Sequence, residues 1–253
     1  MSKFPPAKVL DLRSVCTDKR VIITSDIHGC FDELEELLLH TRFNKEKDIL
    51  IVAGDYVDRG PKIKEVCEFM QTTPNVYGVL GNHDDRLLRY LKHRDLSPQS
   101  LERMSATLAQ CDIQRDVLLN GTAVTYLEWL EKLPHIIRIS DNQYVVHAGI
   151  HPHKSMEEQS IAFCLYCRQY DPAKDNYSSK EGENWYKYYS GNNQIFFGHA
   201  VHEEGITENP LTIALDGGCV FGGVLRGTVL ERPGDPGRIF EIYAKKNYYK
   251  YSN

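Results

Sequence analysis

The chain has 253 residues, of which 42% are hydrophobic and 26% are charged, a balance typical of a globular protein with a sizeable core. Its formal net charge of -5 excludes the broad excess of lysine and arginine on which non-specific nucleic-acid binding depends. No stretch approaches the ~20 apolar residues of a membrane span, and no apolar run of signal-peptide length begins the chain. We therefore expect a cytoplasmic protein with a single domain over residues 1–253.

The first part of the chain alternates β-branched runs with amphipathic segments. The apolar runs 21–25, 49–53 and 76–80 each lead into a polar loop. Helical spacing of apolar residues follows over 31–40, and a second helix is predicted over 62–70. Successive strand–loop–helix units favour an α/β fold with parallel strands covered by helices. In such sheets, ligands bind at the carboxyl ends of the strands.

The middle of the chain changes character. Residues 86–132 space their leucines and aromatic residues as helices do, which predicts a helical insertion beside the site. Strand patterns then resume over 136–139, 144–147, 195–197, 211–215, 224–230 and 238–243. We interpret these later strands as a second sheet, richer in antiparallel pairs and packed on the first.

Two segments are predicted to be irregular. Residues 171–184 are polar and aperiodic, which favours a mobile loop. The aromatic and basic segment 245–251 is either an interaction segment or a frayed end, and we favour the frayed end.

The cysteines point to a reducing compartment. Their number, seven, is odd, and they are dispersed along the chain, which favours free thiols over a disulfide framework. Cys164 and Cys167 form a CxxC pair without a second pair, so we interpret them as buried, inert thiols on a helix rather than as a zinc or redox site.

Five short polar motifs follow apolar runs in order along the chain. They are Asp26–Gly29, Gly54–Gly60, Gly81–Asp84, His147–Gly149 and Gly198–His199. Each is weak alone, because Asp or Asn beside Gly is ordinary turn chemistry and an isolated His is usually structural. Their combined order and spacing predict one shared site.

The residue types in these motifs suit a pair of metal ions. Two divalent cations about 3.5–4 Å apart can hold both the attacking and the leaving oxygen of a phosphoryl displacement, and they need a shared carboxylate. Asp55 is the natural bridge. The other predicted ligands are Asp26 and His28 for one ion, and Asn82, His147 and His199 for the other. The alternative, loop-capping Asp26 and Asn82 with core histidines, fits any single residue equally well but does not fit the whole set.

The neighbouring residues suit catalysis. Water bound at such a centre loses a proton near neutral pH and supplies a hydroxide nucleophile. His83 is the candidate general acid, and Asp58 could orient its ring and raise its pKa. Arg59 could hold phosphoryl oxygens with its planar guanidinium. The alternative for Asp58 and Arg59 is a surface ion pair in a turn.

The motif set resembles the calcineurin-like metallophosphoesterases, and within them the phosphoprotein-phosphatase-type branch, over residues 26–230. Gly54–Gly60 reads GDYVDRG and Gly81–Asp84 reads GNHD, both close to the signature of that branch. The resemblance implies a four-layer β-sandwich flanked by helices. Ser/Thr phosphatases of the branch carry Ser-Ala-Pro-Asn-Tyr after the GH motif, which is Gly198–His199 in this chain. Residues 213–225 here are instead similar to the symmetrical diadenosine tetraphosphatase group.

The resemblance also implies a second phosphate-binding arginine between the last two histidine motifs. Arg168 is the only arginine between His147 and His199, so this role is carried onto it. The alternative for Arg168 is a solvated helix residue.

The sequence therefore predicts a metal-dependent phosphoesterase that uses a metal-bridging hydroxide, with a dinucleoside polyphosphate such as diadenosine tetraphosphate as its substrate. The alternatives are a serine/threonine phosphatase acting on phosphoproteins and a catalytically silent binding or regulatory module. Mixed oxygen and nitrogen ligands admit manganese, iron, zinc, cobalt or magnesium, and we expect manganese. Neither a membrane nor a nucleic acid is an expected partner.

Overall fold

The computed structural model describes residues 5–92, 123–178 and 182–249. The helices within these ranges are α1 (Arg13–Cys16), α2 (Phe31–His40), α3 (Ile63–Thr72), α4 (Asn82–Lys92), α5 (Ala123–Lys132) and α6 (Ile161–Tyr166). The strands are β1 (Val9–Asp11), β2 (Val21–Thr24), β3 (Ile49–Val52), β4 (Val76–Gly78), β5 (Ile136–Ser140), β6 (Gln143–Val146), β7 (Gln169–Asp171), β8 (Asn176–Ser178), β9 (Glu183–Asn184), β10 (Gln194–Phe197), β11 (Thr212–Ala214), β12 (Asp216–Gly217), β13 (Val224–Leu230) and β14 (Arg238–Tyr243).

Two large sheets form the centre of the fold. The first has the order β12-β13-β2-β3-β4, with β14 paired to β13; β2, β3 and β4 are parallel, and β13 runs antiparallel to β2. The second has the order β1-β5-β6-β10-β11, in which β6, β10 and β11 are parallel to one another.

Alternating side chains stack these sheets into four layers. Ile22 and Leu50 pack into one core cluster with α2 and α3, whereas their neighbours Ile23 and Ile51 pack into another with Val145 of β6. The outer face of the second sheet is covered by α6 and the turn 185–187. Strands buried on both faces read as continuous apolar runs, which explains the sequences of β2 and β3. The predicted α/β sandwich flanked by helices is confirmed.

The strand predictions were right in position but partly wrong in partner. A second sheet exists, yet β13 and β14 join the first sheet, and β10 pairs in parallel with both of its neighbours. The residues of one strand do not encode which remote strand lies beside it, so periodicity alone could not assign the sheets.

The predicted helical insertion is described only at its ends. Its start lies within α4, and α5 accounts for its last turns. Residues 93–122 lie outside the described ranges. Within those ranges, no helix is long and apolar enough to cross a membrane.

The expectation of an irregular loop over 171–184 is wrong for the residues described there, and its mobility stays a prediction. β7, β8 and β9 form a small antiparallel sheet. Asp175 lies in its turn, accepts a hydrogen bond of 2.5 Å from Tyr170 Oη, and lies 3.0 Å from His151 Nε2. The polar sequence reflects a hairpin whose turn is fixed by side chains rather than by a core. Residues 179–181 lie outside the described ranges.

The expectation of a frayed end is also wrong, as far as residue 249. Tyr248 Oη and the backbone N–H of Lys245 both donate to Glu33 Oε1, at 2.7 and 3.0 Å. The backbone N–H groups of Tyr248 and Tyr249 lie 3.0 Å from Val220 O. The aromatic residues of the tail therefore dock on the core beside α2. Residues 250–253 lie outside the described ranges.

The predicted burial of the two CxxC cysteines as free thiols is confirmed. Cys164 and Cys167 are both buried and unpaired, the first within α6 and the second just after it. The four other described cysteines are also free.

Arg226 on β13 is a buried charge that orders the loop after β10. Its side chain is 1% exposed, and it donates to the carbonyls of His202 and Glu203 at 2.8 and 2.7 Å and to Glu241 at 2.7 Å. These contacts compensate for the loss of water around the guanidinium.

Arg226→Met is therefore expected to lower the free energy of unfolding by about 2 kcal/mol, because the hydrogen bonds from the buried guanidinium to Glu241 and to two partly buried carbonyls are lost. Urea unfolding measures this loss. Arg238→Met on the adjacent β14 is the matched control: that side chain is 70% exposed, so its loss should stay below ~1 kcal/mol. Similar losses in the two variants would contradict the role assigned to Arg226.

Candidate metal centre

All five motifs follow the carboxyl ends of parallel strands. Asp26 follows β2, Asp55 follows β3 and Asn82 follows β4 in the first sheet, while His147 follows β6 and His199 follows β10 in the second. The sandwich brings these two sets of strand ends to the same place. Each predicted ligand therefore follows a strand whose position is held by packing in the core.

The loops that carry these residues are strained. The backbone φ angle lies in the left-handed region at Asp26 (50°), His28 (45°), Asp55 (57°), Asp58 (73°), Arg59 (72°) and His199 (71°). Residues with a Cβ rarely adopt this conformation, and each instance costs of order 1 kcal/mol or more. Hydrogen bonds between the first two loops hold it, because Asp26 N donates to Gly54 O and His28 N to Asp55 O. Position 60 requires glycine, because a Cβ atom there would lie 1.8 Å from His28 O.

Asp55 lies at the centre of the site. Its Oδ2 is 3.4 Å from His28 Nε2, and its Oδ1 is 3.5 Å from His147 Nε2. Two groups of donor atoms, each within 4.8 Å of one another, share this carboxylate: one with His28 and His83, the other with His147 and His199. This arrangement matches a bridging carboxylate between two ion positions.

The imidazoles present lone pairs to the carboxylate. His28 Nδ1 contacts Val57 O at 2.6 Å and His147 Nδ1 contacts Ala53 O at 2.8 Å, so both rings carry their proton on Nδ1. His147 Nε2, which then carries a lone pair, lies 2.9 Å from Asn82 Oδ1, which is also an acceptor. Two acceptors at this distance repel each other. A cation among these atoms would turn the repulsion into coordination, so the donor set fits divalent metals.

The surplus of buried negative charge also fits metals. Asp26, Asp55 and Asp216 are buried, and burial raises the pKa of each, with further repulsion from neighbouring carboxylates at Asp26 and Asp55. Asp26 lies outside the two donor groups around Asp55, and its Oδ2 accepts hydrogen bonds from Ser25 Oγ at 2.5 Å and His199 N at 2.9 Å. Positive charge at this place would relieve the repulsion.

His83, Asp58 and Arg59 lie together at the edge of this centre. His83 Nδ1 contacts Asp58 Oδ2, and its Nε2 is 3.0 Å from Arg59 Nη2 and 4.0 Å from Asp55 Oδ2. The Arg59 guanidinium stacks over the Phe221 ring, with 5.1 Å from Cζ to the ring centroid. The alternative of a surface turn does not describe Asp58, which is buried.

The expected rise of the His83 pKa does not occur. Burial and the charges of Arg59 and Arg86 lower the pKa of His83 well below its usual range. Asp58 orients the ring, but these two arginines and the loss of water outweigh its negative charge.

Arg168 lies at the open edge of the site. Its side chain is exposed, and Nε and Nη2 lie 3.2 and 3.3 Å from His199 Nε2 and His199 O. It stands between α6 and β7 rather than on a helix. The structure therefore places it beside a predicted ligand, with its guanidinium accessible.

Three residues near the centre had no predicted role. Asp216 begins β12 and contributes to the buried charge, and Arg86 Nη1 lies 3.9 Å from Asp58 Oδ2. Asp84 is fully buried and accepts hydrogen bonds from the backbone N–H groups of Asp55, Tyr56 and Gly81 at 2.8, 3.1 and 2.9 Å. An acidic residue in the first turn of a helix was the available signal, but such residues are common.

Residues 19–234 match the family model described as calcineurin-like phosphoesterase. This chain belongs to the calcineurin-like phosphoesterase family. It is therefore a hydrolase, of a family that uses divalent metals. The family assignment agrees with the resemblance predicted from the motifs.

Similar proteins include two kinds of nucleotide hydrolase. A symmetrical bis(5'-nucleosyl)-tetraphosphatase of Nitrosococcus oceani is 31% identical, over 82% of this chain and 91% of that protein. An asymmetrical bis(5'-nucleosyl)-tetraphosphatase of Bacillus subtilis is 29% identical, over 81% and 88%.

Solved structures are similar as well. One that was proposed to be a diadenosine tetraphosphatase has 32% identity and a TM-score of 0.76, over 94% of this chain and 98% of that one. A serine/threonine phosphatase of Saccharomyces cerevisiae has 16% identity and a TM-score of 0.59, over 96% and 85%, which shows a shared fold alone.

Asp84→Asn is expected to loosen the loop that carries Asp55. The new amide would direct an N–H group at backbone N–H donors, so we expect a loss of about 3 kcal/mol in unfolding free energy and weaker metal binding. Urea unfolding and calorimetric metal titration measure these effects. Asp85→Asn is the matched control on the same helix, since Asp85 pairs with a largely exposed Arg89. Wild-type metal affinity in Asp84→Asn would refute the supporting role.

Proposed function

We propose that this protein hydrolyses dinucleoside polyphosphates, with diadenosine tetraphosphate as the substrate. The observation that carries the proposal is the convergence of imidazoles on the buried Asp55 carboxylate, with the Asn82 amide oxygen against two of them and with His83 and Arg59 at the edge. The relative from Nitrosococcus oceani, whose name states this activity, supports the choice of substrate because the alignment covers nearly all of that protein.

Asp26, His28 and Asp55 are proposed to hold one divalent ion. Asp55 would be shared with a second ion held by Asn82, His147 and His199. Ions bound there would lower the pKa of the attacking water and offset negative charge on the phosphate oxygens.

The protein's own groups would handle the substrate and the proton. Arg59 and Arg168 would bind phosphoryl oxygens, the first from within the site and the second from its exposed edge. His83 would protonate the leaving oxygen, with Asp58 fixing its ring through Nδ1. Because arginine charges lower the pKa of His83, the negative charge of a bound polyphosphate would favour its protonated form.

Manganese as the activating ion and the cytoplasm as the compartment belong to the same proposal. The mixed oxygen and nitrogen donors suit manganese among several ions. The six described cysteines are all free thiols, as is usual for a protein kept in a reducing compartment.

The substrate is tested by incubating the purified protein with manganese and either diadenosine tetraphosphate or a phosphoserine peptide. Ion-exchange chromatography of the products measures the outcome. We expect cleavage of the dinucleotide and no release of phosphate from the peptide. ADP as the sole product indicates symmetrical cleavage, whereas ATP with AMP indicates asymmetrical cleavage. Phosphate release from the peptide with the dinucleotide intact would replace the proposal with a protein phosphatase, and inertness toward both would favour a silent binding module.

The roles within the site are separated by a pair of variants. His83→Asn should lower kcat at least 100-fold while two metal ions remain bound, because it removes a proton donor but no proposed ligand. Asp55→Asn should lower the metal content at both positions, since the bridge loses its charge. Elemental analysis beside steady-state kinetics measures both effects. Wild-type turnover in His83→Asn, or full metal content in Asp55→Asn, would contradict the assigned role.

A further inference from the structure

A second group of potential metal ligands lies beneath the catalytic loops. Cys30, Glu33 and Cys219 each offer a donor atom within 4.8 Å of the other two, and they are 1%, 0% and 2% exposed. Cys30 immediately precedes α2, and Glu33 lies in the first turn of that helix. Cys219 begins the short helical turn 219–221 after β12.

Glu33 has an unsatisfied oxygen in this cluster. Its Oε1 accepts from Tyr248 Oη and Lys245 N, whereas Oε2 has no hydrogen-bond partner among the described residues. A buried carboxylate oxygen without a partner is costly, so such atoms usually bind a donor or a cation. The Cys30 thiol makes a long contact, 4.0 Å, with His28 O, and it also contacts the Cys219 thiol, so the two sulfur atoms already lie together.

We propose that Cys30, Glu33 and Cys219 form a third metal position, selective for a zinc-class divalent ion. Two thiolates with one carboxylate are borderline-soft ligands that suit tetrahedral zinc, and the fourth position would go to water or Tyr248 Oη. The donor groups around Asp55 contain nitrogen and oxygen only. The two sites therefore differ in chemistry.

The geometry is compatible with such an ion. Zinc–sulfur bonds of about 2.3 Å place two tetrahedral sulfur ligands about 3.8 Å apart. The three donors already lie within 4.8 Å of one another, so a closure of about 1 Å at most is needed.

An ion here would join three separate segments. Cys30 is two residues from His28, Cys219 is three residues from Asp216, and Glu33 anchors the C-terminal segment through Tyr248. Occupancy would stabilise the loop arrangement beside the catalytic centre. This inference goes beyond the proposed function and does not depend on it.

Cobalt tests the site because sulfur ligands give cobalt an intense near-ultraviolet charge-transfer band that nitrogen and oxygen ligands do not give. The protein would be loaded by adding cobalt after chelation and also by expression in cobalt-supplemented medium, so that slow entry into a buried site does not decide the result. We expect one cobalt ion beyond those of the catalytic centre, accompanied by the sulfur band.

Cys30→Ala and Cys219→Ala should each lose that ion and its band, and Glu33→Gln should bind it more weakly. Cys16→Ala is the matched control, because Cys16 is a buried free thiol outside the cluster. Zinc should raise the unfolding midpoint of the wild type by more than that of the two cluster cysteine variants, which keep only the nitrogen and oxygen centre.

Three results would overturn the proposal. They are a wild-type protein without a sulfur band, a band that survives both cysteine substitutions, and a thiol titration showing Cys30 and Cys219 joined in a disulfide. Dinucleotide hydrolysis and metal binding at the nitrogen and oxygen centre are read separately, so failure here leaves the proposed function standing, and the reverse also holds.

Discussion

The buried carboxylate of Asp55 is the constraint around which the site is built. It is 2% exposed, and His28 and His147 face it with lone pairs rather than with protons. A buried negative charge without a compensating positive group costs several kcal/mol. Arg59, which donates to His28 Nε2 at 2.8 Å, and the backbone N–H of His83, which donates to Asp55 Oδ1 at 3.0 Å, offset part of this cost, and cations among the acceptors would offset the rest.

The sandwich makes this arrangement possible. β2 and β3 are buried on both faces, so the loops that follow them begin from rigid positions. The loops can then hold left-handed conformations at several non-glycine residues. The preceding strands and the hydrogen bonds that Asp84 accepts from Asp55 N and Tyr56 N keep the backbone in place. Packing energy in the sheets thus maintains backbone strain at the site.

The sequence was informative wherever local pattern decides structure. The helix over 31–40 and the strands beginning at 21 and 49 were predicted almost to the residue, because apolar periodicity and the following polar motif agree. Candidate ligands were recognisable since each follows such a strand. The structure shows their positions around Asp55, while their roles as metal ligands stay predictions.

Long-range pairings were not predictable. The bond between Tyr248 and Glu33 spans 215 residues, and nothing local to the tail distinguishes it from a frayed end. The pKa of His83 depends on burial and on Arg59 and Arg86 as well as on its partner Asp58, so the predicted sign was wrong. The contribution of Asp216 to the charge of the site depends on its proximity to Asp26, which only the folded chain shows.

The two donor sets, if both bind metals, would sort ions within one chain. Thiolates favour zinc-class ions, whereas carboxylate, amide and imidazole donors accept harder ions such as manganese. Since divalent zinc otherwise outcompetes manganese at nitrogen and oxygen sites, a nearby thiolate position would draw zinc first when zinc is scarce. Cys30 and His28 lie on opposite sides of Gly29, so a single loop would present a soft ligand inward and a harder one to the substrate. The identity of the catalytic ions would then depend partly on a site that does not touch the substrate.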